Sequence, residues 1–307
     1  MPESVLTSLL APGEFDGVAA TASGDALAFA SGSANGHGGV GRAWNLRTGA
    51  AGPPIPDLPD GLWAFALVPG GPVAAWCHRD RVHVCDPFTG AERELDHERA
   101  VQPDLVGLAE RHGRGVVVAV FGPAGDAEVV LWDAGTGEPA GEFGVWLGHR
   151  SAIDGQPLHA TGRLVGIACD AERGDGTGAE HYVGVLDVER GEEVARLAGP
   201  GRLTAVAGPV LVQAGPGELR VRRLATGDHL AALALPDAPD TLAAATVAGR
   251  TVIVTGTGDR LLTWDVARAR PVHRIDLPAP ATDLALAADG TLLAATRTGL
   301  HTGRLPA

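Results

Sequence analysis

The chain has 307 residues, with 24 arginines and no lysine against 37 acidic residues, for a formal charge of −13. That balance lacks the basic footprint on which nonspecific nucleic-acid or anionic-membrane binding depends, so neither partner is expected, while a basic protein segment stays open. The 44 glycines and 22 prolines suit short strands and tight turns. With aromatics scarce, the cores are expected to be packed from Val, Leu, Ala and a few Trp.

The all-arginine cation set, together with the Ala and Gly load, matches a GC-rich bacterial, actinobacterial-like coding sequence. No stretch resembles a signal peptide or approaches membrane-span length, and a cytoplasmic monomer is the expectation. Cys77, Cys85 and Cys169 follow no metal or redox spacing and read as reduced, buried thiols. A four-residue turn between the strands of the first two sets Cys77 opposite Val82.

Taken in order, the chain reads as repeated units of short strands. Strands two and three of successive units are Ala26–Ser31 with Val40–Leu46, Pro72–Cys77 with Val82–Asp86, and Gly115–Phe121 with Val129–Asp133. Arg163–Cys169 with Tyr182–Asp187, Pro209–Ala214 with Leu219–Leu224, and Val252–Gly256 with Leu261–Val266 follow. Thr291–Thr296 with Leu300–Leu305 makes the seventh. An apolar innermost strand precedes each pair, as in Leu62–Val68 and Asp283–Ala287.

The turn after the third strand is the most regular mark: Thr48-Gly49, Thr89-Gly90, Thr136-Gly137, Arg190-Gly191 and Thr226-Gly227, degenerate at Ala269-Arg270. These marks recur every 36 to 54 residues, and a repeat of about 44 with four short strands is a propeller signature. The expectation is all-β: one seven-bladed β-propeller domain over 1–307, four antiparallel strands per blade. The seventh unit lacks a fourth strand. Val5–Leu10 followed by Ala11-Pro12 resembles His273–Pro278 followed by Ala279-Pro280, so residues 3–10 are expected to complete that blade.

Several of these residues carry a resemblance to the WD-repeat family of seven-bladed β-propellers, over essentially the whole chain. The dipeptide stands at Trp132-Asp133 and Trp264-Asp265, with a near form at Trp44-Asn45 and Asp alone at Asp86 and Asp187. Leu147-Gly148-His149 resembles the family's Gly-His entry to a blade, and Asp126 and Asp259 match its turn aspartate. No blade carries the family's full Asp-His-Ser/Thr-Trp set. The resemblance implies a scaffold that binds other proteins.

Connections between strands two and three, and the crossings between blades, vary in length, and all fall at the ends where innermost strands begin. Loops on a rigid scaffold carry function, which makes this the expected binding face. Trp63, Trp146, His149 and Arg150 are the anchor candidates there. The loop Asp170–His181 adds acidic residues and His181; it reads as a solvated insertion, since its spacing matches no calcium loop. Asp16, Asp104, Asp154, Asp240 and Asp283 open five innermost strands, either as a charged channel mouth or as caps on local amides.

The eleven histidines show no ligand spacing, and no nucleophile elbow, phosphate loop or dinucleotide fingerprint is present. No catalytic residue, metal or cofactor is expected. The leading reading is a non-enzymatic scaffold for a protein or peptide. The alternative is a hydrolase, lyase, biosynthetic enzyme or small-ligand binder at the channel mouth, with Asp residues and His149 or His181 as acid or base.

Overall fold

The structure is a computed structural model that describes residues 6–21, 27–33, 39–58, 63–97, 101–122, 127–146, 152–153, 159–172, 179–201 and 203–305. These residues form 29 strands and no helix. After β1 (Leu6–Pro12), blade 1 is β2 (Gly17–Ala20), β3 (Leu27–Ser33), β4 (Gly39–Asn45) and β5 (Ile55–Leu58). Blade 2 is β6 (Trp63–Val68), β7 (Gly71–His78), β8 (Arg81–Cys85) and β9 (Glu92–Leu95). Blade 3 is β10 (Leu105–Arg111), β11 (Arg114–Phe121), β12 (Ala127–Asp133) and β13 (Pro139–Val145).

In blade 4 the innermost position is shared by β14 (Ala152–Ile153) and β15 (His159–Thr161), followed by β16 (Leu164–Glu172), β17 (Ala179–Asp187) and β18 (Glu192–Ala198). Blade 5 is β19 (Leu203–Ala207), β20 (Val210–Gly215), β21 (Glu218–Arg223) and β22 (His229–Ala234). Blade 6 is β23 (Thr241–Val247), β24 (Arg250–Thr257), β25 (Arg260–Asp265) and β26 (Arg270–Asp276). Blade 7 is β27 (Ala281–Leu286), β28 (Thr291–Thr296) and β29 (Gly299–Arg304), and β1 pairs antiparallel with β29 as its fourth strand. Residues 1–5 lie outside the described residues. The architecture is a seven-bladed β-propeller of four-stranded antiparallel blades.

The chain divides into two compact units, Met1–Asp57 with Leu203–Arg222 and His229–Ala307, and Leu58–Arg202 with Arg223–Asp228. In the second unit the period of two distributes one strand between two cores. Val116, Val118 and Val120 of β11 pack with Val165, Ile167 and Tyr182 of blade 4. The intervening Val117, Ala119 and Phe121 pack with Ala75, Cys77 and Val84 of blade 2. A strand covered on both faces reads as an unbroken apolar run, which is what Val116–Phe121 is. In the first unit Ile253 and Trp264 pack with Val212 and Leu219 of blade 5, while Val254 and Leu261 pack with Leu284 and Leu292 of blade 7. Val18, Ala28 and Trp44 pack with Leu293 and Leu300, joining blades 1 and 7.

The turn after each third strand has one construction. Gly49, Gly90, Gly137, Gly191 and Gly227 have φ between 69° and 77°, the left-handed region that glycine enters without a Cβ penalty. Each glycine amide donates to the carbonyl four residues back, on Asn45, Asp86, Asp133, Asp187 and Arg223, at 2.7–2.9 Å. In four of these five turns the Asp or Asn side chain accepts two further amides: Asp133 Oδ1 takes Gly135 and Thr136, and Asp86 Oδ1 takes Phe88 and Thr89. Asp187 and Asn45 do the same. The amide of Thr136 foremost holds the Asp133 carboxyl below its usual range. The repeated aspartate is therefore a turn former.

The ladder between β16 and β17 runs further than the residue types indicate. Asp170 pairs with His181, Ala171 with Glu180 and Glu172 with Ala179, so paired strand replaces both ends of the expected twelve-residue loop. The last described pair is Glu172 with Ala179, and residues 173–178 lie outside the described residues.

Ala269 holds φ 51° where the other turns have glycine, so Ala269→Gly is expected to stabilise the fold by about 0.5–1 kcal/mol in urea denaturation. An unchanged or lower midpoint would refute the strain. Cys77, Cys85 and Cys169 are buried and unpaired, and burial pushes their thiols up to about 11, 12 and 12. A chromogenic disulfide reagent at pH 8 should leave all three unmodified in native protein and titrate three in denaturant.

Candidate functional site

In the second unit, Trp146 directly follows β13 and is 49% exposed, the largest exposed aromatic among the described residues. The Arg196 guanidinium lies 5.1 Å from the centre of its ring and 5.0 Å from that of Tyr182, a cation between two aromatic faces. Arg196 Nη2 donates to the Trp146 carbonyl at 2.7 Å, and Glu193 takes Nε and Nη2 at 3.0 and 2.8 Å. The Glu193 carboxylate foremost holds the Arg196 pKa up, so the clamp stays cationic. A half-exposed indole is thereby fixed by a charge that is itself fixed.

Trp63 is the first residue of β6 and half-buried. It lies opposite Trp76, which is buried and stacks on His83 at 5.3 Å between ring centres. It belongs to the blade's own packing more than Trp146 does. His149 and Arg150 lie outside the described residues. His181 is half-buried within β17, and its carbonyl accepts the Gly199 amide at 2.8 Å.

Asp104 and Asp240 cap backbone amides. Asp104 immediately precedes β10, where its amide donates to the Val120 carbonyl at 2.8 Å. Desolvation raises its carboxyl, opposed by a hydrogen bond from the Gly122 amide. Asp240, in the first unit, repeats this at the same offsets: its amide donates to Gly256 O at 2.8 Å and its Oδ2 accepts Gly258 N–H at 2.9 Å. Asp16 donates its amide to Ser31 O at 3.0 Å. Each ties the entry of an innermost strand to the end of the second strand. Asp154 lies outside the described residues.

Asp283 departs from the series, being the third residue of β27 rather than the residue before it. Its Oδ2 accepts the Val18 amide of β2 at 2.9 Å and its Oδ1 the Leu284 amide at 2.8 Å. Thr282 Oγ1 donates to the Phe15 carbonyl at 2.6 Å, so two adjacent side chains tie blade 7 to the entry of blade 1. Burial raises the Asp283 carboxyl to about 6, with the two amides opposing.

The two Trp-Asp blades satisfy their indoles differently. Trp132 Nε1 donates to the Asp96 carbonyl at 2.9 Å, with His97 packed edgewise at 6.1 Å from the ring and 5.0 Å from Phe121. Trp264 Nε1 donates to Thr255 Oγ1 at 2.9 Å. Near this bond the first unit has a pocket of about 180 Å³, with Leu235, Leu262 and Thr257 in its wall and Arg260 and Arg274 beside them. Neither Arg196 nor this pocket is marked by any sequence motif. Among the described residues no group of three or more metal-ligating side chains converges, and no helix is long and apolar enough to cross a membrane.

Burial holds the folded-state pKa of Asp283 above its usual 3.8, so the native protein binds this proton more tightly than the unfolded chain. Its contribution to stability is therefore full below pH ~4 and lost as pH rises to about 6. Relative to Asp283→Asn, wild type should lose on the order of 2 kcal/mol between pH 4 and 7 in urea denaturation. A constant difference would remove the case for a desolvated carboxyl.

No protein-family model matches the sequence, and no curated protein matches it. Solved structures do match. Hydrazine synthase of Kuenenia stuttgartiensis aligns with TM-score 0.67 and 15% identity over 99% of this chain and 98% of that one. U3-55K aligns with TM-score 0.65 and 15% identity over 99% and 98%, and the RRP9 WD40 repeats with 0.65 and 15% over 99% and 97%. At such identity the likeness concerns the fold: the chain is a seven-bladed β-propeller whose structural neighbours include WD40 repeat proteins.

Proposed function

We propose that this propeller is a non-enzymatic scaffold that binds a protein or peptide segment at the strand-entry ends of its blades, with Trp146 as the anchor. The observation that supports this is the clamp: an indole half open to solvent, backed by the Arg196 guanidinium on Tyr182 and held by Glu193. Trp and Arg are enriched among the residues that dominate interface energies, and the rigid indole offers large area at small ordering cost. A ring already immobilised has less entropy to lose on docking. The resemblance to WD-repeat propellers points the same way, by analogy of fold. The net charge of −13 favours a basic segment as partner.

A second reading, a ligand or reaction site at the strand entries, draws on Asp283, whose carboxyl pKa near 6 suits acid–base work. Both of its oxygens already accept backbone amides, which is the arrangement of a structural clasp.

The test is affinity capture on tagged wild type beside Trp146→Ala and Arg196→Met, all three checked for equal melting temperature. The scaffold reading expects a stoichiometric protein with wild type, lost with Trp146→Ala and weakened about tenfold or more with Arg196→Met. Recovery of the same protein on all three would displace the anchor from Trp146. A folded wild type that recovers no protein would overturn the scaffold reading.

A further inference from the structure

Blades 3 and 6 share the Trp-Asp pair, and the space beyond the indole is treated in opposite ways. Four residues past the ladder partner of Trp132 stands Phe121; four past the partner of Trp264 stands Thr257. The connection into blade 3, residues 96–104, brings His97 against both Phe121 and Trp132. The connection into blade 6, residues 235–240, is shorter and carries no aromatic residue. Two ring side chains are thus replaced by a threonine and a shorter loop, and the result is the 180 Å³ pocket of blade 6.

Its lining is chemically divided. Leu235 and Leu262, one buried and one half-buried, give an apolar wall. Arg260 faces the same space, and its guanidinium has no hydrogen-bond or ion-pair partner among the described residues. Most arginines among the described residues give their guanidinium to a hydrogen-bond or ion-pair partner, and Arg260 is one of the few that do not while lining a pocket. Arg274 gives Nε and Nη2 to Asp276 Oδ1 at 2.9 and 2.8 Å, which leaves Nη1 uncommitted. Thr257 adds a hydroxyl, whereas the Thr255 hydroxyl is already engaged by Trp264.

We propose that this pocket binds a small organic monocarboxylate, its carboxylate on Arg260 and Arg274 and a compact apolar body against Leu235 and Leu262. The volume fits: an apolar cavity of roughly 150 Å³ accepts a molecule the size of benzene. A planar guanidinium matches a carboxylate through two parallel hydrogen bonds. Asp237 also lines the pocket and Asp276 sits on Arg274, so a second negative charge on the ligand meets repulsion. That selects a monoanion with an apolar body over inorganic phosphate. The site needs no protein partner, and its residues belong to the first unit of the chain whereas Trp146 belongs to the second.

The probe is sodium benzoate, titrated into the ¹⁵N-labelled full chain at constant ionic strength, with sodium chloride and inorganic phosphate as parallel titrations. Saturable shifts at the Thr255 and Thr257 amides are expected with benzoate alone. Arg260→Gln should lower the affinity about tenfold, the loss of one charge-assisted pair. Thr257→Phe, which places at this position the residue blade 3 has, should abolish the shifts while the melting temperature holds. An absence of saturation in wild type, equal binding of phosphate, or unchanged affinity in both variants would each overturn the assignment.

Discussion

The turn between third and fourth strands is the constraint on which the rest of this molecule depends. In blades 1 to 4 an aspartate or asparagine at the end of the third strand gathers two amides of the turn, and a glycine in the left-handed region reverses the chain. Without that reversal the outermost strand has no fixed register on the third, and the blade loses its outer edge. With it, the remaining requirement is only that alternate residues be apolar on both faces. Val116–Phe121 meets that requirement by dividing itself between two cores. The turn at Ala269 shows the construction under load: the hydrogen bond its amide donates is 3.3 Å long and goes to the Val266 carbonyl, and Asp265 Oδ1 accepts one amide, that of Arg268.

Because this construction is local, it was legible in the amino-acid sequence. Thr136-Gly137 after Trp132-Asp133 reports a turn from four residues within a six-residue stretch, and the recurrence of such marks gives the blade count. The pairing of Leu6–Pro12 with β29 was visible only through a likeness between distant stretches, since its partners lie near the opposite end of the chain. Ladder length was less legible. Asp170, Glu172 and Glu180 are polar and read as loop, yet a paired strand beyond the core tolerates polar residues because its backbone bonds, not its side chains, hold it.

The candidate site separates along the same line. Trp146 was recognisable by type, but Arg196 was not, because the bond that links them spans 50 residues and no periodicity announces it. The aspartates were recognisable as a series, while their role needed distances: the matching offsets of Asp104 and Asp240 identify caps, and the shifted place of Asp283 removes it from the set. The blade 6 pocket was invisible in principle. It arises from atoms that blade 3 has and blade 6 lacks, and an empty volume has no residue to signal it.

The two indoles show why a fold can persist while its sequence drifts. Burying Trp132 or Trp264 obliges its N–H to find an acceptor, since a buried unpaired donor costs about 1–3 kcal/mol. The requirement is for an oxygen at the right place, and a backbone carbonyl of Asp96 serves as well as the hydroxyl of Thr255. Each solution leaves a different surround: aromatic filling in one blade, a pocket with arginines in the other. Exchange of one acceptor for another therefore keeps the blade and changes the surface beside it. That is consistent with chains of 15% identity sharing this architecture from end to end, and it places any specificity of this protein in the residues the fold left free to vary.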